Sequence, residues 1–371
     1  MIKFLYGSGN ADIRYKTGFD GRNPVFFVDN GKNKYLFLDD LEYGTYDNVG
    51  RKAFGVRAMR LDPYIDSAKE NHDDAALRCK IAFAVLKSSI IRKNKVLISK
   101  DLPVDMADYL RRKKIDIRHV GEMYPDRVTK SAREIKIIKG IIGRIKIAFK
   151  KIEFILNNST IKKHQIFYKG KILTSEVLKK EIDQIFIDHG LKRKTESIVS
   201  CGVHSAIPHH CGKGPLKPGL PIVADLFPRD ERTGYFGDMT RTYVKGEPSE
   251  KLKKMFKAVS QARDNAMKKI KAGVSAKEIH EECADTLRCH GFDTKDGQGF
   301  IHAAGHGLGL DLHEKPHVGP SSGHLLEEGN VVTIEPGLYY RGIGGVRIED
   351  VVLVTKSGCE NLTNYPCKFI Q

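Results

Sequence analysis

The sequence predicts two domains, an α/β domain over residues 1–125 and an α+β domain over residues 126–371. Three observations carry this. Short β-branched and aromatic runs alternate with helical stretches through the first third of the chain. Tyr124-Pro125-Asp126 interrupts that alternation. Beyond it, long helical stretches precede and separate short apolar strands that carry acids. A length of 371 residues suits two domains on a soft prior of roughly 150 residues each.

Asp12 to Tyr15 and Val25 to Asp29 read as strands, and Asn30-Gly31 as a tight turn into Tyr35 to Leu38. A helix is expected over residues 74–91, with Leu77, Ile81, Ala84 and Val85 on one face. Val96 to Ile98 forms the next strand, Pro103 opens a helix to Arg112, and Ile115 to Ile117 is a strand. These are βαβ units around a mostly parallel sheet.

In the second domain, Ser131 precedes a long helix whose apolar positions Ile135, Ile138, Ile142, Ile145, Phe149, Ile152 and Ile155 step by three or four. A helix follows over residues 175–189, stopped by Gly190. Further helices are expected at 262–267 and 276–289, and strands at 221–225, 235–243, 331–335 and 346–354.

Hydrophobic content of 40% and charged content of 29% describe an ordinary globular chain. No run of about 18 apolar residues suggests a membrane span. Met1 to Gly7 is too short and too soon polar for a secretory signal. Seven cysteines without a CxxC pair fit free thiols in a reducing cytoplasm. The formal charge of +17 is the unusual bulk property. Its densest region, Lys130 to Lys180, includes Lys136, Lys139, Lys150, Lys151, Lys162 and Lys163. Most of these alternate with Ile or Phe at helical spacing and read as a solvated helix face, so nucleic acid is not the expected partner.

The chemistry gathers around Gly305-His306-Gly307-Leu308-Gly309, with His313 seven residues beyond His306. Glycines this dense predict backbone that passes close to something bulky or charged. Asp225 ends one apolar strand and Asp238 opens another, and the turn-rich segment between them would let the two pair as a hairpin. Glu335 ends Val331-Val332-Thr333-Ile334 and is stopped by Pro336-Gly337, while Glu349 follows Val346-Arg347-Ile348. Each acid alone is ordinarily an exposed strand-end carboxylate. Two Asp, two Glu and one His together make a hard ligand set suited to a carboxylate-bridged pair of Mn²⁺, Co²⁺ or Zn²⁺ ions. Such a site is suited to hydrolysis.

In this order, Asp225, Gly237-Asp238-Met239-Thr240-Arg241-Thr242, Gly305-His306-Gly307-Leu308-Gly309, Thr333-Ile334-Glu335-Pro336-Gly337 and Arg347-Ile348-Glu349-Asp350 resemble the pita-bread metallopeptidases. That family includes methionine aminopeptidase, aminopeptidase P and prolidase. Residues 1–125, with Asp12 to Phe19, resemble the creatinase/prolidase amino-terminal domain. The resemblance implies a pita-bread catalytic domain over 126–371 and two divalent ions, Mn²⁺ first. It implies that Asp225 holds one ion, that Asp238 and Glu349 bridge both, and that His306 and Glu335 complete the second. It also implies Glu335 as general base, and His313 near the scissile carbonyl. His302 is a further active-site histidine and Arg347 a residue that orients the acids. His209 matches the histidine at the departing nitrogen, with the neighbouring His210 exchangeable for it by a one-residue shift.

The details resemble aminopeptidase P and prolidase more than methionine aminopeptidase. The implied activity is hydrolysis of the bond preceding proline at a peptide amino terminus, by a cytoplasmic homodimer. That imide bond has no N–H, which makes a dedicated pocket physically reasonable. The alternatives are methionine aminopeptidase activity and a non-catalytic binding module of the same fold.

Overall fold

A computed structural model describes residues 1–48, 54–89, 91 and 94–371. The chain divides into two compact units, Met1–Arg127 and Val128–Gln371.

The first unit is built on a six-stranded mixed sheet. Its strands run in the order Val56–Arg60, Lys34–Leu38, Val25–Asp29, Ile2–Gly7, Lys95–Ile98 and Asp116–His119. The pairings of Ile2–Gly7 and Lys34–Leu38 with Val25–Asp29 are antiparallel, and the other three are parallel. Alternation along each strand feeds two separate cores. Phe4, Phe26 and Phe37 pack with Val85, Met106 and Leu110 on one face. Leu5, Phe27 and Leu36 pack with Ile13 and Phe19 on the other.

Two sequence expectations fail in this unit. Asp12 to Tyr15 lies in a helix, Ala11–Thr17, because the Asn10 side chain accepts from the Asp12 and Ile13 amides and Gly18 closes the end at φ 65°. The helix expected over 74–91 spans only Leu77–Lys87, and Ile90 lies outside the described residues. The strand Ile2–Gly7, to which sequence reading assigned no element, is central to the sheet.

In the second unit, the helix Ala132–Asn157 begins with a capping box formed by Ser131 and Glu134. Thr174 caps the helix Ser175–Asp188. Helices Glu250–Lys269 and Ala276–Cys289 pack on one another and on the sheets, burying Leu252, Met255, Val259 and Ile279 against Val332, Ile334, Val346 and Val352. The first of these runs well beyond the expected 262–267. Its lysine-rich start lacks a strong apolar signal, but Ser249 caps it.

Two sheets matter for the site. One orders Ile198–Cys201, Pro221–Leu226 and Met239–Val244, all antiparallel. The other orders Glu314–Val318, Gly305–Gly307, Val331–Ile334, Asp350–Val354 and Cys359–Asn361. A single bridge between Thr240 and Glu349 links them. The run expected as one strand over 346–354 is two, Gly344–Arg347 and Asp350–Val354, because Ile348 and Glu349 turn their amides to Pro336 and Thr240. The expected strand 235–243 begins only at Met239.

The glycines around His306 have a structural cause. A Cβ on Gly305 would lie 1.9 Å from the Thr333 carbonyl oxygen, and one on Gly307 would lie 2.2 Å from that of Lys315. The close neighbour is the backbone of flanking strands. Gly305→Ala must therefore push two strands apart, at about 1–3 kcal/mol. Thermal unfolding of the metal-free protein is expected to show a Tm lower by roughly 2–10 °C. An unchanged Tm would contradict this packing.

Candidate metal centre

Asp225 and Asp238 are brought to one side by the register of their strands. Asp225 pairs with Thr240, and Asp238 lies two residues before Thr240 on the same side of the pleat. Thr240 then faces Glu349 across the link between the sheets. Its Oγ1 donates to Glu349 Oε2 at 2.8 Å, and its carbonyl accepts from the Glu349 amide at 3.1 Å. From the five-stranded sheet come His306 and Glu335, tied by Glu335 N donating to Ala304 O at 2.8 Å. Asp238, His306 and Glu349 are buried and place one donor atom each within 4.8 Å of one another. The His306 Nε2 lies 3.8 Å from Asp238 Oδ2 and 3.5 Å from Glu335 Oε1.

The protonation of His306 follows from its neighbours. Its Nδ1 lies 3.1 Å from the Gly307 carbonyl oxygen, which only accepts, so Nδ1 carries the proton. Burial, then the His313 imidazole, push its pKa down to about 3. The ring is neutral at pH 7, and its Nε2 lone pair faces the carboxylates. A backbone carbonyl fixing the far nitrogen is the usual support of a ligating imidazole.

Burial and neighbouring acids raise three of the four acids. Burial, then Asp225 and Glu335, hold Asp238 well above the usual carboxylate range. Burial does the same to Glu349, joined by Asp238, Glu335 and Asp225. Glu335 is pushed up to about 8, by burial against the opposing pull of Arg347 and with the added push of Asp225. Among the described residues, Arg347 is the cation bonded to them, its Nη2 donating to Asp225 Oδ2 at 2.7 Å. Asp225 Oδ1 is buried and accepts from no described group.

The remaining candidates occupy distinct places. His302 has both nitrogens engaged. Nδ1 donates to Ala303 O at 2.7 Å, and Nε2 accepts from the Tyr339 hydroxyl at 2.9 Å. Burial, then Arg347, push its pKa down to about 4. Tyr339 in turn accepts from Arg347 Nη1 at 2.7 Å. The exposed His313 has its ring centroid 4.1 Å from that of His306. Burial, then the charge of His209, depress its basicity. His209 also acts on His302, so it lies among the site histidines. His210 is engaged elsewhere. It stacks on His204 with centroids 4.2 Å apart, and its Nδ1 accepts from the Gly212 amide.

Sequence reading missed the groups that hold these side chains. Thr240 Oγ1 accepts from Arg347 Nε at 3.4 Å, and Thr333 Oγ1 accepts from the His306 amide at 3.1 Å. The buried Arg241 donates to the carbonyls of Thr240, Glu349 and Tyr365 and to Asp350. Thr240 and Thr333 were findable, since each stands two residues from a candidate acid on the same strand face. Tyr339 and Arg241 gave no such signal.

Metallopeptidase family M24 matches residues 148–356, a span that holds all five candidate ligands. The chain belongs to this family. It is a metallopeptidase, and membership implies divalent metal ions. An Xaa-Pro dipeptidase of Pyrococcus horikoshii is 34% identical over 270 residues, covering 72% of each chain. Among solved structures, a prolidase from the same organism aligns with a TM-score of 0.80 at 25% identity, covering 100% of this chain and 95% of that one. An Xaa-Pro dipeptidase from Bacillus anthracis gives 0.79 at 25% identity with the same coverage. The fold is that of the pita-bread enzymes, with an amino-terminal domain ahead of the catalytic one.

The crowded acids make the metal-free protein sensitive to pH. Glu335 has a folded pKa near 8, above its unfolded value of 4.5, so its protonated form stabilises the fold and that stability is lost as pH rises towards 8. His306 and His302 act oppositely, but only below their unfolded value of 6.5. Between pH 6.5 and 8 the Tm of metal-free protein should therefore fall, and added divalent cation should abolish the fall. A flat or rising Tm across that window would contradict the charge balance.

Proposed function

We propose that this enzyme hydrolyses the peptide bond preceding proline at a peptide amino terminus, as an Xaa-Pro aminopeptidase or dipeptidase. The likeness to an Xaa-Pro dipeptidase over most of the chain carries the substrate class. The buried cage of four acids and one neutral histidine supports a pair of divalent ions. The fit rests on two observations: the Asp225 Oδ1 that accepts from no described group, and the acids driven up by mutual burial with only Arg347 to oppose them. Asp225 would hold one ion, Asp238 and Glu349 both, and His306 and Glu335 the other. Mn²⁺ suits this oxygen-rich set first, with Co²⁺ or Zn²⁺ next.

Two ions bound there would supply an activated water and polarise the scissile carbonyl. The rest falls to the chain. Glu335 takes the proton of the attacking water and carries it towards the departing nitrogen. His209 meets that nitrogen. The engagement of His210 with His204 and Gly212 supports His209 over its neighbour. His313, neutral and exposed beside His306, donates to the developing oxyanion. His302 exchanges no proton while Ala303 and Tyr339 hold both its nitrogens, so it forms part of the wall on the proline side. Arg347 holds Asp225 in place through its Nη2 donation to Oδ2. We propose a homodimer, a partner segment closing the far end of the cleft and setting peptide length.

Purified protein with Mn²⁺ is expected to cleave Xaa-Pro, Xaa-Pro-Yaa or longer peptides ahead of proline. Faster turnover of Met-Ala peptides, or none with any divalent metal, would sink the reading. His306→Ala should lower bound metal. His313→Ala should keep it and lower turnover by roughly 10²–10³. Equal metal loss in both variants would contradict this division of roles.

A further inference from the structure

Between Glu153 and Glu176 the chain has no acidic residue, but it carries Lys162, Lys163, His164, Lys169 and Lys171. The sequence reading put Lys162 and Lys163 on the solvated face of a helix. The structure instead forms a three-stranded antiparallel sheet, Thr160–Lys162, Gln165–Tyr168 and Lys171–Ile172.

Two features set this sheet apart from an ordinary charged surface. The first is its turns. Lys163 and His164 have φ of 47° and 59°, and Lys169 and Gly170 have 47° and 75°. Each pair follows the pattern of a two-residue hairpin turn that strongly prefers Asn and Gly. Three of these four positions hold bulky cationic or titratable residues in backbone they rarely adopt. Backbone of that kind retained at an exposed turn points to use of the side chains. The second is charge balance. Lys151 pairs with Glu181, and Lys179 with Glu196. Lys162, Lys163, Lys169 and Lys171 are all exposed and pair with no acid among the described residues.

The register orders the faces. Ile161 pairs with Ile166, and the fully buried Ile166 anchors that face inward while Ile161 is 44% exposed. Lys162, Phe167 and Ile172 share the outward face, with Phe167 half-buried at its middle, whereas Lys171, opposite Tyr168, lies on the face of Ile166 and is exposed beside the second turn. The two lysine-bearing turns lie at opposite ends of the four-residue central strand, with His164 and Lys169 roughly 16 Å apart at about 3.3 Å per residue. We propose that this outward face binds the phosphate backbone of nucleic acid, as a second function separate from the peptidase site. Lysines at both ends would meet phosphates separated along the strand, and Phe167 between them offers a ring on which a base can stack. A membrane surface fits less well, since the turn tips Lys163-His164 and Lys169-Gly170 carry no apolar side chain to insert.

The test is a salt titration of the full-length protein with labelled 20-nucleotide single-stranded DNA, RNA and duplex DNA, with anionic phosphatidylserine vesicles in parallel. Binding should weaken steeply with salt. In a variant carrying Lys162→Gln, Lys163→Gln, Lys169→Gln and Lys171→Gln, affinity should fall at least tenfold at low salt. The duplex slope of log affinity against log salt should fall by about 3 to 4. Peptidase turnover should be unchanged. A control carrying Lys251→Gln, Lys254→Gln and Lys257→Gln, on the helix Glu250–Lys269, should bind as the parent does. The proposal is overturned if the parent binds no nucleic acid, if the four-lysine variant still binds, if the control loses as much, or if vesicles bind more tightly than nucleic acid.

Discussion

Three buried carboxylates and the partly buried Glu335, beside one guanidinium and one neutral imidazole, are the constraint on which the second unit turns. A carboxylate out of water is costly, and several facing one another are costlier still. Left to themselves they resolve the conflict by taking up protons, as the raised pKa values of Asp238, Glu335 and Glu349 record. Divalent cations resolve it differently, and leave the acids ionised and able to act. Metal affinity, proton uptake and fold stability are then aspects of one balance.

Holding that cage needs two sheets in fixed relation. Asp225 and Asp238 come from one, His306 and Glu335 from the other, and Glu349 sits where they join. The backbone joint is slight, an isolated hydrogen-bonded bridge from Thr240 to Glu349. Arg241 reinforces it by donating to both of those carbonyls, to Asp350 and to the carboxy-terminal segment at Tyr365. Arg263 adds a second cation to Asp350 at 3.1 Å. Glycines at 305 and 307 let strands close on His306 from both sides. The imidazole is thus placed by backbone packing rather than by the cage it serves.

Much of this was legible in the sequence because the acids stand at punctuation. Asp225 closes an apolar run, Glu335 precedes Pro336-Gly337, and Asp238 follows a glycine, so strand period and turn chemistry locate each of them. The capped helices Ala132–Asn157 and Ser175–Asp188 were legible for the same reason. Failures came where a short-range contact outweighed a local pattern. The Asn10 cap and Gly18 made a helix of Asp12 to Tyr15. Residues 160–172 formed hairpins, the first through a Lys163-His164 turn that lacks the usual Asn or Gly signal. The glycines around His306 were correctly read as marking a close approach, but the neighbour is a strand and not a ligand. Tyr339 and Arg241 act through contacts with residues far along the chain, which no local spacing announces.

How many cations the cage takes, and what they displace, decides whether these acids form a two-metal centre. Calorimetric titration of metal-free, full-length protein with Mn²⁺, repeated from pH 6.5 to 8 in buffers of different ionisation enthalpy, measures both. Two ions per chain, protons released on binding, and affinity that rises with pH are the predicted result. A single ion per chain, or binding that releases no protons and ignores pH, would contradict it.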